Sequence, residues 1–430
     1  MTQSRRVVFV CCDGVGRNWV TASSTPFLYR LRQGSEWCTD HRAVFPSVTR
    51  VSAASIATGC TAGHHGLHGN RMGLMENGRI VVRDVGLPDF RDHLRRATGT
   101  TLHRPTIAQR VADHGGFVAF SNVSPGAAYF LDPEHFGHVY HRAGSFAPGG
   151  MPIDGTAALA VSHDSAGYRV MTERFCHEVL YERKPAVAVL WLCDPDHTLH
   201  GNPLGSPAHL TALANADDCV QRVVDSVEAL RRAGEDILLM VGSDHGQETI
   251  GDALDLEDWL TEHGLGDALN KGDVGVASQG TAALLYATDR GRVPLLGCLE
   301  AMRREPWADG VLAGDDLGQR GLAPKGGIVA AVNMAGRADH NPHGVAGKRW
   351  TVAVPGKPED IGCGQHGGWG TDEIRPFLLI NHPTCPAGDI MVPTSLLDIA
   401  PTSLAFLGLP TDGMDGRMVT AARAASMELR

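Results

Sequence analysis

Asp13 in CDGVG, Asp196 and His200 in DPDHTLHGNP, Asp244 and His245 in GSDHGQ, and His366 in GQHGGWG have the types and spacing that suit chemistry. Carboxylates and imidazoles are the usual ligands of a zinc-like ion. Three Asp and three His suffice for two ions with about three protein ligands each, leaving positions open for a substrate. Two ions roughly 4 Å apart can hold an attacking and a leaving oxygen together. Taken singly, each group has a plainer use. A strand-end Asp before Gly also makes a turn or a cap. An Asp-His pair in a loop also makes polar surface, and a His among glycines also makes a turn. The metal reading rests on their joint placement.

A nucleophile is found in FPSVTRVSAASIATG, residues 45–59. The small residues 52–58 are compatible with a helix, and Thr49 falls at its expected start. There its oxygen meets the positive end of the helix dipole. Metal binding to that oxygen would lower its pKa and activate it. Thr49 also suits an N-cap, and Ser47 and Ser52 are equally available hydroxyls.

The elements that must carry these groups are legible. RVVFVCC precedes Asp13, AVAVLWLC precedes Asp194 and Asp196, and DILLMVG precedes Asp244. Runs this apolar, with little alternation, predict strands buried on both faces of a parallel sheet. Helical spacing follows at 210–232, with plausible helices at 105–114 and 166–182. The alternation predicts an α/β fold: a doubly wound, mostly parallel sheet flanked by helices. Sites in such sheets lie beyond the carboxyl ends of the strands, where the acidic clusters stand. The core is expected over 1–245, interrupted by a Gly-, Pro- and aromatic-rich loop insertion at 122–152. An inserted cap is expected over 246–362. Residues 363–430 return to the core with His366, a strand at 377–381 and a closing helix at 395–407, where Pro401 should bend or restart the helix.

The chain has 430 residues, 43% hydrophobic and 20% charged, as in ordinary soluble globular enzymes. Its formal net charge of -10 disfavours duplex nucleic acid as a partner. The first apolar run is short and ends at Asp13, which suits neither a secretory signal nor a membrane span. The expectation is a cytoplasmic protein with no membrane partner. Its ten cysteines are scattered, without CxxC spacing, and read as buried or free thiols.

The order of these segments resembles the nucleotide pyrophosphatase/phosphodiesterase branch of the alkaline phosphatase superfamily, which also contains phosphonoacetate hydrolase. FPSVTRVSAASIATG is similar to the branch's nucleophile segment, with Thr49 at the threonine. GLHGN is similar to the segment that follows it, with Asn70 at the asparagine. PDHTLHGNP, SDHG and QHGGWG are similar to the remaining metal motifs, in order, and SLLDIAPTSLAFLGLP to the closing helix. The resemblance implies an alkaline phosphatase-like fold and two divalent ions, zinc foremost, with manganese or iron as alternatives. It implies Asp196, His200 and His366 on one ion, and Asp13, Asp244, His245 and Thr49 on the other. Asn70 and the amide after Thr49 would steady the non-bridging oxygens of the substrate. Thr49 would attack, the leaving group would depart, and water would free a phosphothreonine.

Two departures bear on the substrate. Where nucleotide pyrophosphatases carry Phe after the nucleophile, this chain has Arg50. Where phosphonoacetate hydrolase has a carboxylate-gripping lysine, this chain reads FSNVS at 120–124. The leading expectation is a phosphodiesterase or pyrophosphatase acting on a small molecule. The alternatives are a phosphonate hydrolase cleaving carbon–phosphorus, or an inactive metal-binding module. Arg50 is expected to bind an extra negative group of a phosphate ester or phosphonate substrate, its guanidinium offering two parallel hydrogen bonds. The alternative is an Arg50 that points outward or pairs with a nearby carboxylate. A homodimer is compatible with this reading.

Overall fold

The computed structural model describes residues 5–358 and 360–419. The opening residues and the end of the 363–430 segment lie outside the described residues. Five parallel strands form the centre of a ten-stranded sheet. In chain order they are β1 (Arg6–Cys12), β2 (Phe117–Ser121), β3 (His138–Tyr140), β4 (Val187–Leu192) and β5 (Ile237–Gly242). Their order across the sheet is β5-β1-β4-β2-β3. Every residue of β1, β4 and β5 is buried, as expected of apolar strands covered on both faces. The β1 register pairs Val7 with Val187 and Leu238, so the three strands end level and deliver their acidic residues to one edge. The helix Pro207–Arg232 buries Leu213, Val220, Val223, Val227 and Leu230 at helical spacing.

Two local expectations are corrected, at 122–152 and 105–114, and two others gain detail. The stretch 122–152 is more than a loop insertion. After the helix Pro125–Phe130 it supplies β3 and the short strands Ser145–Ala147 and Met151–Ile153, which extend the main sheet. Its aromatic residues pack there, with Tyr140 against Phe120 and Tyr129 against Phe146. The helix expected at 105–114 is one turn, Ile107–Arg110, capped by Thr106. At 377–381 the strand Leu378–Asn381 joins the core, yet runs antiparallel to β5. The closing helix begins as a 3-10 turn, Leu396–Asp398, and continues as Ile399–Phe406. Pro401 lies in the first α-helical turn, where an N–H is least needed.

Directly after β5 the chain leaves the core sheet. Two four-stranded sheets follow. One contains Glu248–Leu254, Ala346–Val352 and Gly364–Gln365; the other contains Val274–Ser278, Ala282–Ala287, Ala308–Ala313 and Ile328–Met334. The second sheet has its own apolar core around Trp259, Leu285, Leu295, Trp307 and Val332. Glu248 pairs antiparallel with Gln365, so the segments that leave and re-enter the main core run side by side. Among the described residues, no helix is long and apolar enough to cross a membrane. None of the ten cysteines forms a disulfide.

Candidate active site

The ends of β1, β4 and β5 and the pairing of Glu248 with Gln365 build one buried cluster. β1 runs directly into Asp13. Beyond β4, Asp196 opens a one-turn helix, Asp196–Leu199, which places His200 one turn later with Nε2 3.3 Å from Asp196 Oδ2. Asp244 and His245 follow β5. His366 follows the paired Gly364–Gln365, and its ring stacks on His245 at 3.6 Å between centroids.

Two triads of ligand atoms result. Asp196, His245 and His366 converge within 4.8 Å of one another, and so do Asp13, Asp244 and His245. His245 Nε2 lies 3.4 Å from Asp13 Oδ1 and 3.2 Å from Asp244 Oδ2, and His366 Nε2 lies 3.3 Å from Asp196 Oδ1. The six candidate ligands are thus together, with two refinements. His245 belongs to both triads, and His200 touches Asp196 from a more open position, its side chain 42% exposed.

The surrounding groups orient these atoms. His366 Nδ1 bonds the Ser47 carbonyl oxygen at 2.7 Å, and His245 Nδ1 bonds the Gly246 carbonyl oxygen at 2.9 Å. With Nδ1 donating, each Nε2 presents its lone pair to the cluster. Trp191 Nε1 donates to Asp13 Oδ2 at 3.0 Å, and the Gly14 amide donates to Asp244 Oδ1 at 3.2 Å. The opposite oxygens, Asp13 Oδ1 and Asp244 Oδ2, are buried and have no hydrogen-bond partner. Gln247 Nε2 donates to Asp196.

Charge supports the same reading. Burial, followed by the charges of neighbouring aspartates, pushes the Asp13 and Asp244 carboxyls above their usual range. Burial also holds His245 well below its ordinary value, so its imidazole is neutral. Among the described residues no Lys or Arg pairs with Asp13, Asp196 or Asp244. A buried site with three carboxylates, two orphaned oxygens and the neutral imidazole of His245 fits divalent cations, because buried charges require counter-charge.

Thr49 begins the helix Thr49–Thr58, whose residues are all buried except Arg50. Val48 occupies the N-cap position, and no side chain caps the helix. Thr49 Oγ1 instead lies 3.2 Å from His245 Nε2, inside the cluster. The first intrahelical bond runs from Ser52 N to Val48 O, so the amides of Thr49, Arg50 and Val51 precede it. The competing hydroxyls are placed differently. Ser47 Oγ donates to Gly368 O and accepts from Gly367 N, pinning the loop that carries His366. Ser52 is fully buried in the helix, and its Oγ has no hydrogen-bond partner.

The family model described as type I phosphodiesterase / nucleotide pyrophosphatase matches residues 7–297. The chain belongs to that family. Its members are hydrolases, and the match spans the threonine segment and five of the six candidate ligands. No curated protein matches the sequence. Among solved structures, murine ectonucleotide pyrophosphatase / phosphodiesterase 5 is similar in fold, with a TM-score of 0.65 and 16% identity over 96% of this chain and 97% of that one. An inactive threonine-to-alanine variant of the same murine protein, in complex with AMP, gives a TM-score of 0.66 at 16% identity and the same coverage.

In this phosphodiesterase-family chain Arg50 follows the alternative reading and pairs with a nearby carboxylate. Its Nη1 donates to Asp84 Oδ1 and to the Asn70 carbonyl oxygen, both at 2.7 Å, and its Nε donates to Ser124 Oγ at 3.2 Å. The guanidinium is thereby neutralised and engaged within the protein, and lacks the free fork that bidentate binding of a substrate anion requires. On the opposite side, Gln279 Oε1 accepts from the Asn70 amide at 2.7 Å. Asn70 is thus clamped between Arg50 and Gln279, with its side-chain oxygen buried and without a partner. Sequence reasoning missed Trp191, Gln247 and Gln279. Gln247 adjoins the SDHG motif and was within reach; Gln279 belongs to a distant segment and carried no signal.

Removal of Arg50 should therefore act through Asn70. Arg50→Ala is expected to lower kcat about tenfold to a hundredfold, the scale of a small misplacement of a positioning group. The factor should be equal for a diester bearing an extra acid and one without it. Steady-state assays on both substrates check this, and a loss confined to the acidic one would restore Arg50 as a reader of charge.

Proposed function

We propose that this chain is a two-metal phosphodiesterase or pyrophosphatase that acts on a small molecule through a phosphothreonine at Thr49. The observation that carries the reading is the contact of Thr49 Oγ1 with His245 Nε2, at a helix start and beside two orphaned carboxylate oxygens. The murine relative's inactive threonine-to-alanine variant agrees with a threonine nucleophile.

Asp13, Asp244, His245 and Thr49 would hold one divalent ion, and Asp196, His200 and His366 the other. The mixed carboxylate–imidazole donor set favours zinc and tolerates manganese or iron. When bound, the ions supply Lewis-acid stabilisation of phosphoryl oxygens and lower the pKa of an oxygen nucleophile. The chain's own residues do the rest. The packed helix fixes the direction of Thr49 Oγ1, which forms a bond to phosphorus as the bond to the leaving oxygen breaks. The amide of Arg50 and the side chain of Asn70 oppose the negative charge that grows on the non-bridging oxygens, where stabilisation raises rate. Water then attacks phosphorus and releases Thr49. Residues 246–362 act as a cap that places Gln279 against Asn70.

The test is an assay of the metal-replete protein on p-nitrophenyl phosphodiesters, with acid quench and mass spectrometry of the Thr49 peptide. Turnover with a phosphorylated Thr49 is expected. No diester turnover at full metal content would defeat the proposal. Phosphate release from phosphonates alone would move the assignment to carbon–phosphorus cleavage.

A further inference from the structure

A cavity of about 300 Å³ opens beside the cluster, lined by His200, Asn70 and the Arg50–Asp84 pair on one side and by residues of the 246–362 segment on the other. Its volume is at the lower end of the range for ligand pockets. Its chemistry is unusual for a site that would seat a nucleoside. Among the described residues no Phe, Tyr or Trp lines it. A base would find no Phe, Tyr or Trp face on which to stack, and the cavity's one aromatic ring, His200, is a candidate metal ligand; such stacking is a main source of base affinity.

The cavity does contain cations. Arg71 directly follows Asn70 on the strand Arg71–Glu76, and Lys357 enters from the cap. Neither forms an ion pair within 4.0 Å among the described residues; Arg71 feels Glu257 only at longer range. The lining contains two acids, and Asp84 is engaged by Arg50 at 2.7 Å. That leaves Asp360 against Arg71 and Lys357. Arg71 is half-buried and its planar guanidinium suits a carboxylate or phosphate, whereas a neutral alkyl or base substituent would leave it without a partner.

We propose that this cavity receives the part of the substrate beyond the scissile phosphorus, and that Arg71, aided by Lys357, binds a second anionic group there. The substrate class is then a compact diester bearing an additional carboxylate or phosphoryl group, rather than a nucleotide. This rests on the phosphodiester-hydrolase reading given above.

The experiment uses p-nitrophenyl diesters that share one scissile bond and differ in the second substituent: methyl, carboxymethyl, phosphonoethyl and thymidine. The wild-type enzyme should show kcat/KM at least about tenfold higher for one of the two acidic substituents than for methyl, the size of one charge-assisted hydrogen bond. Which acid is preferred distinguishes a carboxylate from a phosphoryl group. Arg71→Met should reduce that ratio about tenfold, and Arg71→Lys, which keeps the charge, should reduce it less. Turnover of all four with equal kcat/KM, or a preference for thymidine, would overturn the substrate class and leave the hydrolase reading intact. Turnover of none would overturn both. The wild-type panel decides the matter even if an Arg71 variant fails to fold.

Discussion

Thr49→Ala is expected to lower kcat at least about a thousandfold, the scale seen when a covalent nucleophile is deleted, with fold and metal content preserved. The separation of these effects follows from the local geometry. Val48 takes the N-cap position and no side chain caps the helix, so Thr49 contributes no capping bond whose loss would cost about 1 kcal/mol. Its hydroxyl has its contact in the site, with His245. The remaining donors are Asp and His side chains fixed by other elements. Rate on a chromogenic diester, metal content and melting temperature on one preparation provide the check. Thr49→Ser, which keeps the hydroxyl, should retain measurable turnover. A Thr49→Ala enzyme with a third of the wild-type kcat would rule out the covalent route.

Removal of the ions should be equally severe. Chelation is expected to abolish activity and lower the melting temperature, and resupply of zinc should restore both. Asp13, Asp196 and Asp244 are buried in two triads that share His245, and two of their carboxylate oxygens have no hydrogen-bond partner. Ligands that bind only the folded state stabilise it by mass action, and here they also relieve buried like charge. Single substitutions should follow burial. Asp244 is fully buried and His366 is nearly so, while the His200 side chain is 42% exposed. Asp244→Ala and His366→Ala should lose bound metal and at least about a hundredfold in activity, beyond what loss of an outer-shell partner costs. His200→Ala should lose less of both. Full activity of either severe variant, after chelation and resupply, would remove that residue from the ligand set.

Much of this was written in local sequence. The apolar runs before Asp13, Asp196 and Asp244 announced strands buried on both faces, because runs this short and this apolar suit strands covered on both sides. Level strand ends in a parallel sheet then brought the aspartates to one edge. The small residues after Thr49 were compatible with a helix starting at that residue, as the structure has it. Family order in the metal motifs extended the same reading to His366.

Other features depended on contacts between distant segments, and residue type does not state those. His245 and His366 stack because Glu248 pairs with Gln365 across the whole inserted segment. The strand Leu378–Asn381 is apolar and buried over its first three residues, and composition cannot say that it runs antiparallel. Sequence left open whether Arg50 reads substrate or pairs with a carboxylate, and Asp84, which comes back along a hairpin, decides for the pair. Gln279 reaches Asn70 only because the strands of the hairpin Arg71–Asp84 pack against Val274–Ser278. Local sequence determined which groups could do chemistry and which elements would carry them. Tertiary pairing decided which of those groups meet, since hydrogen-bond register and charge neutralisation are set by partners far away along the chain.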